Sequence, residues 1–562
     1  MHTGRRLIAI SLRAALATLL LSTSTTALLA SDATVQHQIA TLKAQIEALT
    51  IAVKDQKTET RKTKEAIKVV AERPSAAPLV PYKTPAPAFD KSWTWGIVKV
   101  TPGGFLAADG LYRTRNTNSD LGTPFAGIPT LNNPAAHMNE QRFSSRASRL
   151  SLLLEAPLNP TTVVSGFYEM DFFGAGTSSN YNQTNSWAPR LRNAYATVDY
   201  LDTGWHFLAG QSWSLVTPNS NGITPRQEAV PIVIDANVIP GFAYARQPGI
   251  RITKDFNKEL WFSISAEQSA TTFGGTGCNN VVANSSALPG SSATNFGAQT
   301  NVAGITCLAT GAAGYGQTGQ NQQLSLQKMP DFVAKAAYEG KIDGRTVHLE
   351  AFGVYRNFYD RVNYGVQTAN GFTGGSTNQT ADGYAVGAGM IVAIIPKYLE
   401  FQAGGLVGKG MGRYGSAGLP DATLTTNGAI APLNNVNAFG GFVLHATPQI
   451  DAYLYAGIEK TAALYGFGGA TASNPNGYIG YGAPTLINSG CNIEGGTCQG
   501  VTGSVWQVTG GLYDKIYQGP FGYVRAGIQY SYTRRELLPG ANGIKAGTDD
   551  NVVMTSLRYF PF

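Results

Sequence analysis

The stretch RASRLSLLLEA at residues 146–156, closed by PLNP at 157–160 and answered by TTVVSGFYEMDF at 161–172, decides the fold. Leu150, Leu152 and Leu154 alternate with Arg149, Ser151 and Glu155. Past the turn, Val164, Tyr168, Met170 and Phe172 alternate with Ser165, Glu169 and Asp171. A period of two means strand, and here every charge falls on one face. A soluble β-sandwich would also alternate, but its inner faces would carry no charges. A transmembrane barrel needs this pattern, because a charge facing lipid costs about 2–4 kcal/mol at the midplane. The pattern recurs where Val347, Leu349 and Ala351 alternate with His348 and Glu350. It recurs again where Val524, Ala526, Ile528 and Tyr530 alternate with Arg525 and Gln529.

Working outward, sixteen such segments run from Gly103–Arg113 to Asp550–Phe562, each near the roughly 9–11 residues that a tilted strand needs to span a bilayer. Their connections alternate. Pro157–Pro160, Leu201–Thr203, Asp255–Asn257, Gly340–Asp343, Pro396–Lys397, Thr447–Pro448 and Asp514–Gln518 read as short turns. Residues 114–145, 173–189, 214–241, 269–328, 357–381, 409–436, 462–500 and 535–549 read as long polar loops. Short periplasmic turns and long outer loops are the habit of outer-membrane barrels. The expected fold class is therefore an all-β transmembrane barrel of about sixteen antiparallel strands, preceded by an N-terminal α-helical coiled coil. The chain closes on Phe562 after Leu557, Tyr559 and Phe560. A terminal aromatic on an alternating strand resembles a barrel sorting signal, with a bulge expected at Pro561.

The first 92 residues are organised differently. Arg5, Arg6 and Arg13, the apolar run Ala14–Leu21 and small residues up to Ala30 read as a secretory signal peptide over 1–30, with Ala33 as a second cleavage candidate. Removing its three cations takes the formal charge from +7 to +4, which does not mark a nucleic-acid binder. At 34–72, Ile39, Ile46, Val53, Thr60 and Ile67 keep constant heptad phase with Val35, Leu42, Leu49, Gln56, Thr63 and Val70. That is a periplasmic coiled coil, about 54 Å long over Val35–Val70 at about 1.5 Å per residue. Five prolines between Pro74 and Pro87 make 73–92 an extended linker. The barrel domain is expected over 93–562.

The composition suits this plan: Gly 65, Tyr 26, Phe 24 and only 14% charged residues. The four cysteines fall in two loop pairs, Cys278 with Cys307 and Cys491 with Cys498, and read as disulfides formed in an oxidising compartment. Their spacings fit no zinc pattern. No metal site, cofactor or enzymatic motif is expected.

Four stretches carry a family likeness. They are RFS with Arg146 and Arg149 (142–149), EMDF followed by RLRNAY (169–172, 190–195), LAGQSWS (208–214) and RQPGIR (246–251). In order and spacing they resemble the DcaP-like trimeric porins, mainly over residues 93–270. The resemblance implies a homotrimeric outer-membrane barrel, a periplasmic coiled coil, and passage of small anions such as dicarboxylates. The sequence departs from the family at Trp93–Val100, where TPGG follows at 101–104 and implies a broken or extra short strand.

Strand parity places Arg149, Arg251, Lys335, Arg525 and Arg558 inward with Glu155, Glu169, Asp171 and Glu350; Arg190 and Arg192 share a face and join them. In loop 214–241, Arg226, Glu228 and Asp235 are constriction candidates, or rim charges on an ordinary outer loop. Expected partners are outer-membrane lipid and lipopolysaccharide, the barrel assembly machinery through Phe562, and peptidoglycan through the coiled coil. The expected function is passive diffusion of small hydrophilic solutes, with mild preference for anions. The alternatives are a substrate-selective sugar or phosphate channel, suggested by Tyr453 and Tyr455, or a barrel-anchored adhesin or tether.

Overall fold

The computed structural model describes residues 91–174, 187–275, 305–309, 327–364, 367–368, 371–372, 374–468 and 477–562. Ahead of them it describes Ala40, Lys43, Ala44, Glu47, Thr50 and Lys54, all helical. The chain divides into two units, Met1–Ala86 and Pro87–Phe562. The signal peptide, most of the coiled coil and linker residues 73–90 lie outside the described residues. Among the described residues no helix is long and apolar enough to cross a membrane.

In the second unit, sixteen antiparallel strands among the described residues close into one barrel: β1 Val98–Arg113, β2 Arg149–Asn159, β3 Thr162–Asp171, β4 Arg190–Tyr200, β5 Trp205–Trp213, β6 Arg246–Phe256, β7 Leu260–Glu267, β8 Asp331–Ile342, β9 Arg345–Tyr364, β10 Ser376–Ile395, β11 Leu399–Lys409, β12 Asn434–His445, β13 Ile450–Thr461, β14 Thr502–Gly519, β15 Gly522–Leu537 and β16 Gly547–Phe560. Each pairs with the next, and Leu106–Arg113 of β1 pairs with Val552–Tyr559 of β16 to close the ring. The lower part of β1 pairs with β2, from Lys99↔Glu155 to Phe105↔Arg149. Its upper part pairs with a short strand, Glu140–Ser144. The departure expected at Trp93–Val100 is a hairpin, in which Trp93–Trp95 folds back on Val98–Val100.

Alternation gives the barrel its two faces. On β7, Phe262 and Ile264 point outward and Ser263, Ser265 and Glu267 inward; Leu106, Leu150, Ile250 and Val386 are likewise exposed on the outside. The turns are tight where the local chemistry demands it. Asp343 (φ 49°) and Gly344 (φ 77°) are both left-handed, the conformation of a two-residue hairpin turn that matches strand twist.

Three expectations are corrected. The turn expected at Asp514–Gln518 is strand: β14 continues through a register shift between Asp514 and Tyr517 and stops at Gly519, before Pro520, which has no N–H to give the ladder. The loop expected at 357–381 is largely strand, paired from Asn357↔Asp382 to Asn363↔Ser376, because inward Phe358 and Val362 extend the alternation. No bulge is needed at Pro561. The ladder is regular to Tyr523↔Phe560, and Phe560 belongs to the inner face, stacked on Tyr523 at 4.3 Å and near Phe105 at 5.0 Å.

Gly104 tests this closure. Its φ is +118°, and a Cβ there would lie 2.0 Å from the Arg149 carbonyl oxygen of β2. Gly104→Ala is expected to cost more than about 1 kcal/mol, seen as a lower denaturant midpoint for the detergent-solubilised barrel. Gly166→Ala, which meets only the Leu154 side chain at 3.7 Å, is expected to stay within about 0.5 kcal/mol.

Candidate functional site

The lumen is narrowed by the segment between β5 and β6. Residues 214–241 leave the wall after Trp213 and run inside the barrel, and the wall supplies partners along their length. Leu215 N donates to Glu267 Oε1 on β7 (2.8 Å), and Asn219 N to Glu350 Oε2 on β9 (3.2 Å). Gly222 N donates to Glu339 on β8. Gln402 on β11 donates to the Ala229 carbonyl. Ile234 N donates to Gln529 Oε1 on β15 (2.6 Å), and Gly241 N to Glu459 Oε1 on β13 (2.7 Å). Apolar packing completes the attachment: Val233, Ile234, Val238 and Ile239 join Phe105, Trp213, Phe439, Tyr453, Tyr455 and Tyr513 in one cluster. A backbone tied to strands on several sides of the ring lies within the barrel rather than over its rim.

Beside this loop lies a cavity of about 240 Å³. Arg149, Arg190, Arg192, Arg525 and Arg558 line it with Asp171, Asp235, Phe105, Phe173 and loop residues Val230–Ala236. Parity on β2, β4, β15 and β16 aims the arginines inward, and barrel closure brings β16 beside β1 and β2. Arg192 bridges Glu169 and Asp171, the latter at 2.7 Å. Arg190 holds Asp171 through two contacts of 2.9 and 2.7 Å. Arg149 lies 3.6 Å from Glu169, and Arg558 lies 3.7 Å from Asp109. Arg525 has no carboxylate partner among the described residues. Its guanidinium sits 4.1 Å from the Tyr513 ring centre and 5.1 Å from that of Phe560. Arg558 and Arg149 lie over Phe105 at 5.1 and 5.3 Å. Stacking on a ring face orients a guanidinium without neutralising it. With Arg246, stacked on Trp213 at 4.8 Å, six cations stand against Glu169, Asp171, Asp109 and Asp235.

Apart from Asp235, which lines the cavity, the remaining candidates lie elsewhere. Asp235 is 3% exposed and accepts from Thr123 N (3.0 Å) and Asn237 N (2.8 Å), tying the first outer loop to the constriction. Burial pushes its carboxyl up from the ordinary range. Arg226 (φ 68°) is exposed within the loop, 5.7 Å from the inward Phe167 ring. Arg226 N donates to Glu228 Oε1 (3.3 Å), and burial raises the Glu228 carboxyl. Arg251 is buried and donates to the Trp213 carbonyl (2.7 Å). Lys335 and Glu350 form a fully buried anchor. Lys335 Nζ donates to Glu350 Oε2 (3.1 Å) and the Thr217 carbonyl (2.7 Å). Glu155 stands toward the short-turn end of β2, in register with Lys99 and Ser165.

The sequence reading missed Asp109, Phe105 and Tyr513. The first two share the inward parity of β1 with Ala107, and Tyr513 shares that of Gln507 and Thr509 on β14, so parity was available for all three. Tyr453 and Tyr455 lie behind the loop, their hydroxyls donating to Gln529 (2.8 Å) and Gln402 (2.9 Å). In the outer loops, Cys491 and Cys498 form a disulfide. Asn132 N of the first outer loop donates to the Cys491 carbonyl at 3.0 Å. Cys278 lies outside the described residues. Of Cys307 only the backbone, in strand Ile305–Ala309, is described.

A closed sixteen-stranded barrel with an apolar outside, a charged lumen and an inward loop defines an outer-membrane-type porin fold. No family model matches the chain, and no curated protein matches it. Among solved structures it is similar to the outer membrane channel DcaP of Acinetobacter baumannii, at 15% identity over 83% of this chain and 99% of that one, with a TM-score of 0.52. It also matches an anion-selective porin from Comamonas acidovorans (9% identity, 82% and 99% covered, TM-score 0.40). OmpT of Vibrio cholerae matches at 10% identity, with 84% and 99% covered and a TM-score of 0.39. The fold is that of a DcaP-like porin.

Lys335→Met would take the Nζ contact from the buried Glu350 carboxylate, leaving it only His348 Nε2 (3.2 Å) and the Asn219 N–H (3.2 Å), and would release the Thr217 carbonyl. Breaking such a pair from one side costs about 3–5 kcal/mol. The variant is expected to unfold at a lower denaturant concentration and to show extra open-channel noise in single-channel recordings.

Proposed function

We propose that the protein is an outer-membrane porin that lets small hydrophilic solutes diffuse passively, with a mild preference for anions, dicarboxylates among them. The observation that carries this reading is the arginine-lined cavity beside the inward loop. Charged side chains at a narrow point set ion preference, and low-dielectric walls focus their field. Six arginines against four buried carboxylates, of which Asp235 is tied to two backbone N–H groups, leave the passage positive. Nothing in this arrangement is asked to break a bond; the lumen only has to admit a solute and release it. The porin reading includes a homotrimer, exported to the outer membrane, with the coiled coil in the periplasm.

The sugar-channel alternative rested on an aromatic ladder from Tyr453 and Tyr455. Their burial behind the loop does not favour it. The tether alternative assigns the work to residues 34–72, and removing them is expected to leave single-channel conductance unchanged.

Under a potassium chloride gradient across a planar bilayer, the reversal potential is expected to have the sign of anion selectivity. Arg525→Gln and Arg149→Gln are each expected to move it toward zero, and the pair further. A cation-selective potential in the unmodified protein overturns the anion preference, and the lack of any conductance overturns the porin reading.

A further inference from the structure

The cavity has two chemically unlike walls, and we infer that the channel chooses among anions by their carbon body. A small organic anion with a charged head and an apolar flank occupies the cavity in preference to a hydroxylated anion of the same carbon number and charge. The inference rests on the porin reading above.

One wall offers charge. The side chains of Arg149 and Arg190 are about one-third exposed, at 33% and 34%, and Arg525 is held by rings rather than by a carboxylate. These groups can take an anionic head by charge-assisted hydrogen bonds. The other wall offers almost nothing polar. From Ala229 to Ile234 the loop reads AVPIVI, without one side-chain donor or acceptor. Val230, Ile232 and Ala236 are half-buried at the cavity, as is Phe173 from beyond β3, while Val233 and Ile234 pack into the aromatic cluster behind them. Several polar groups nearby are already engaged, Asp235 Oδ2 excepted, which is itself buried. The Ile234 N–H is given to Gln529, and the Ala229 carbonyl accepts from Gln402. The Tyr453 and Tyr455 hydroxyls point to those same glutamines, and Asp235 is held by Thr123 and Asn237.

A solute lying head-first on the arginines must press its body against this flank. Hydroxyl groups brought there lose water and meet no partner, which is unfavourable. Methylene groups brought there leave water for an apolar surface, which is favourable. Charge alone does not separate two monoanions of equal chain length; the flank does.

Hexanoate and gluconate test this, since each has six carbons and one carboxylate. Added to a chloride-conducting channel in a planar bilayer, hexanoate is expected to halve the chloride current at a concentration about four-fold or more below that of gluconate, the effect of one buried methylene. Ile232→Asn and, as an independent variant, Val230→Thr are each expected to bring the two concentrations together. Equal block by the two anions in an open chloride channel overturns the inference and leaves the porin reading standing. A hexanoate preference unchanged in both variants also overturns it, since sieving by size would then explain the difference. A protein that conducts no chloride overturns the porin reading itself.

Discussion

In hydrocarbon an unpaired backbone N–H or C=O costs several kcal/mol, so a sheet that crosses a membrane has no permissible edge. The ladder between Leu106–Arg113 and Val552–Tyr559 meets that demand, joining the last strand to the first. Closure then dictates what each face carries. Most leucines and isoleucines of the strands go outward, and most strand charges go into the lumen, where water and counter-charges are at hand. The same closure brings β15 and β16 beside β1 and β2. Residues separated by some four hundred positions, such as Arg149 and Arg558, therefore share one cavity.

How the lumen charges divide between two tasks explains the site. On β7, β8, β9 and β13 the acidic side chains Glu267, Glu339, Glu350 and Glu459 accept backbone N–H groups of the inward loop. They are consumed as structural acceptors. On β2, β4, β15 and β16 the arginines have fewer carboxylates than they could use, and several rest on aromatic rings. The acidic anchors lie on β7, β8, β9 and β13 and the under-compensated cations on β2, β4, β15 and β16, with Gln529 on β15 as a neutral anchor beside Arg525. The proposed anion preference rests on this asymmetry rather than on the formal charge of the whole chain, +7.

The constriction loop is itself two-sided. Part of its backbone bonds to the wall, and its apolar side chains are shared between the aromatic cluster behind and the cavity in front. Asp235, which its place in loop 214–241 made a constriction candidate, accepts from the Thr123 N–H and so ties the loop to the first outer loop. A carboxylate drawn into backbone hydrogen bonds holds geometry more than it shapes a field.

The residue order alone determined the barrel. Period-two alternation with charge on one face, seen in 146–172 and 344–356, has one stable solution in a membrane, and alternating turn lengths set the strand number at sixteen. Parity likewise determined that Arg149, Glu169, Asp171, Arg525 and Arg558 face inward, because side-chain direction in a strand is a local property. Only the tertiary structure decided which of these meet. The Arg192 bridge to Glu169 and Asp171, the Lys335–Glu350 anchor beneath Thr217, and the apolar flank at Val230–Ile232 depend on strand register and on the path of a loop with no periodicity of its own. Those are long-range contacts. They are chosen by which buried donors and acceptors find partners, a condition that no local pattern of residues expresses.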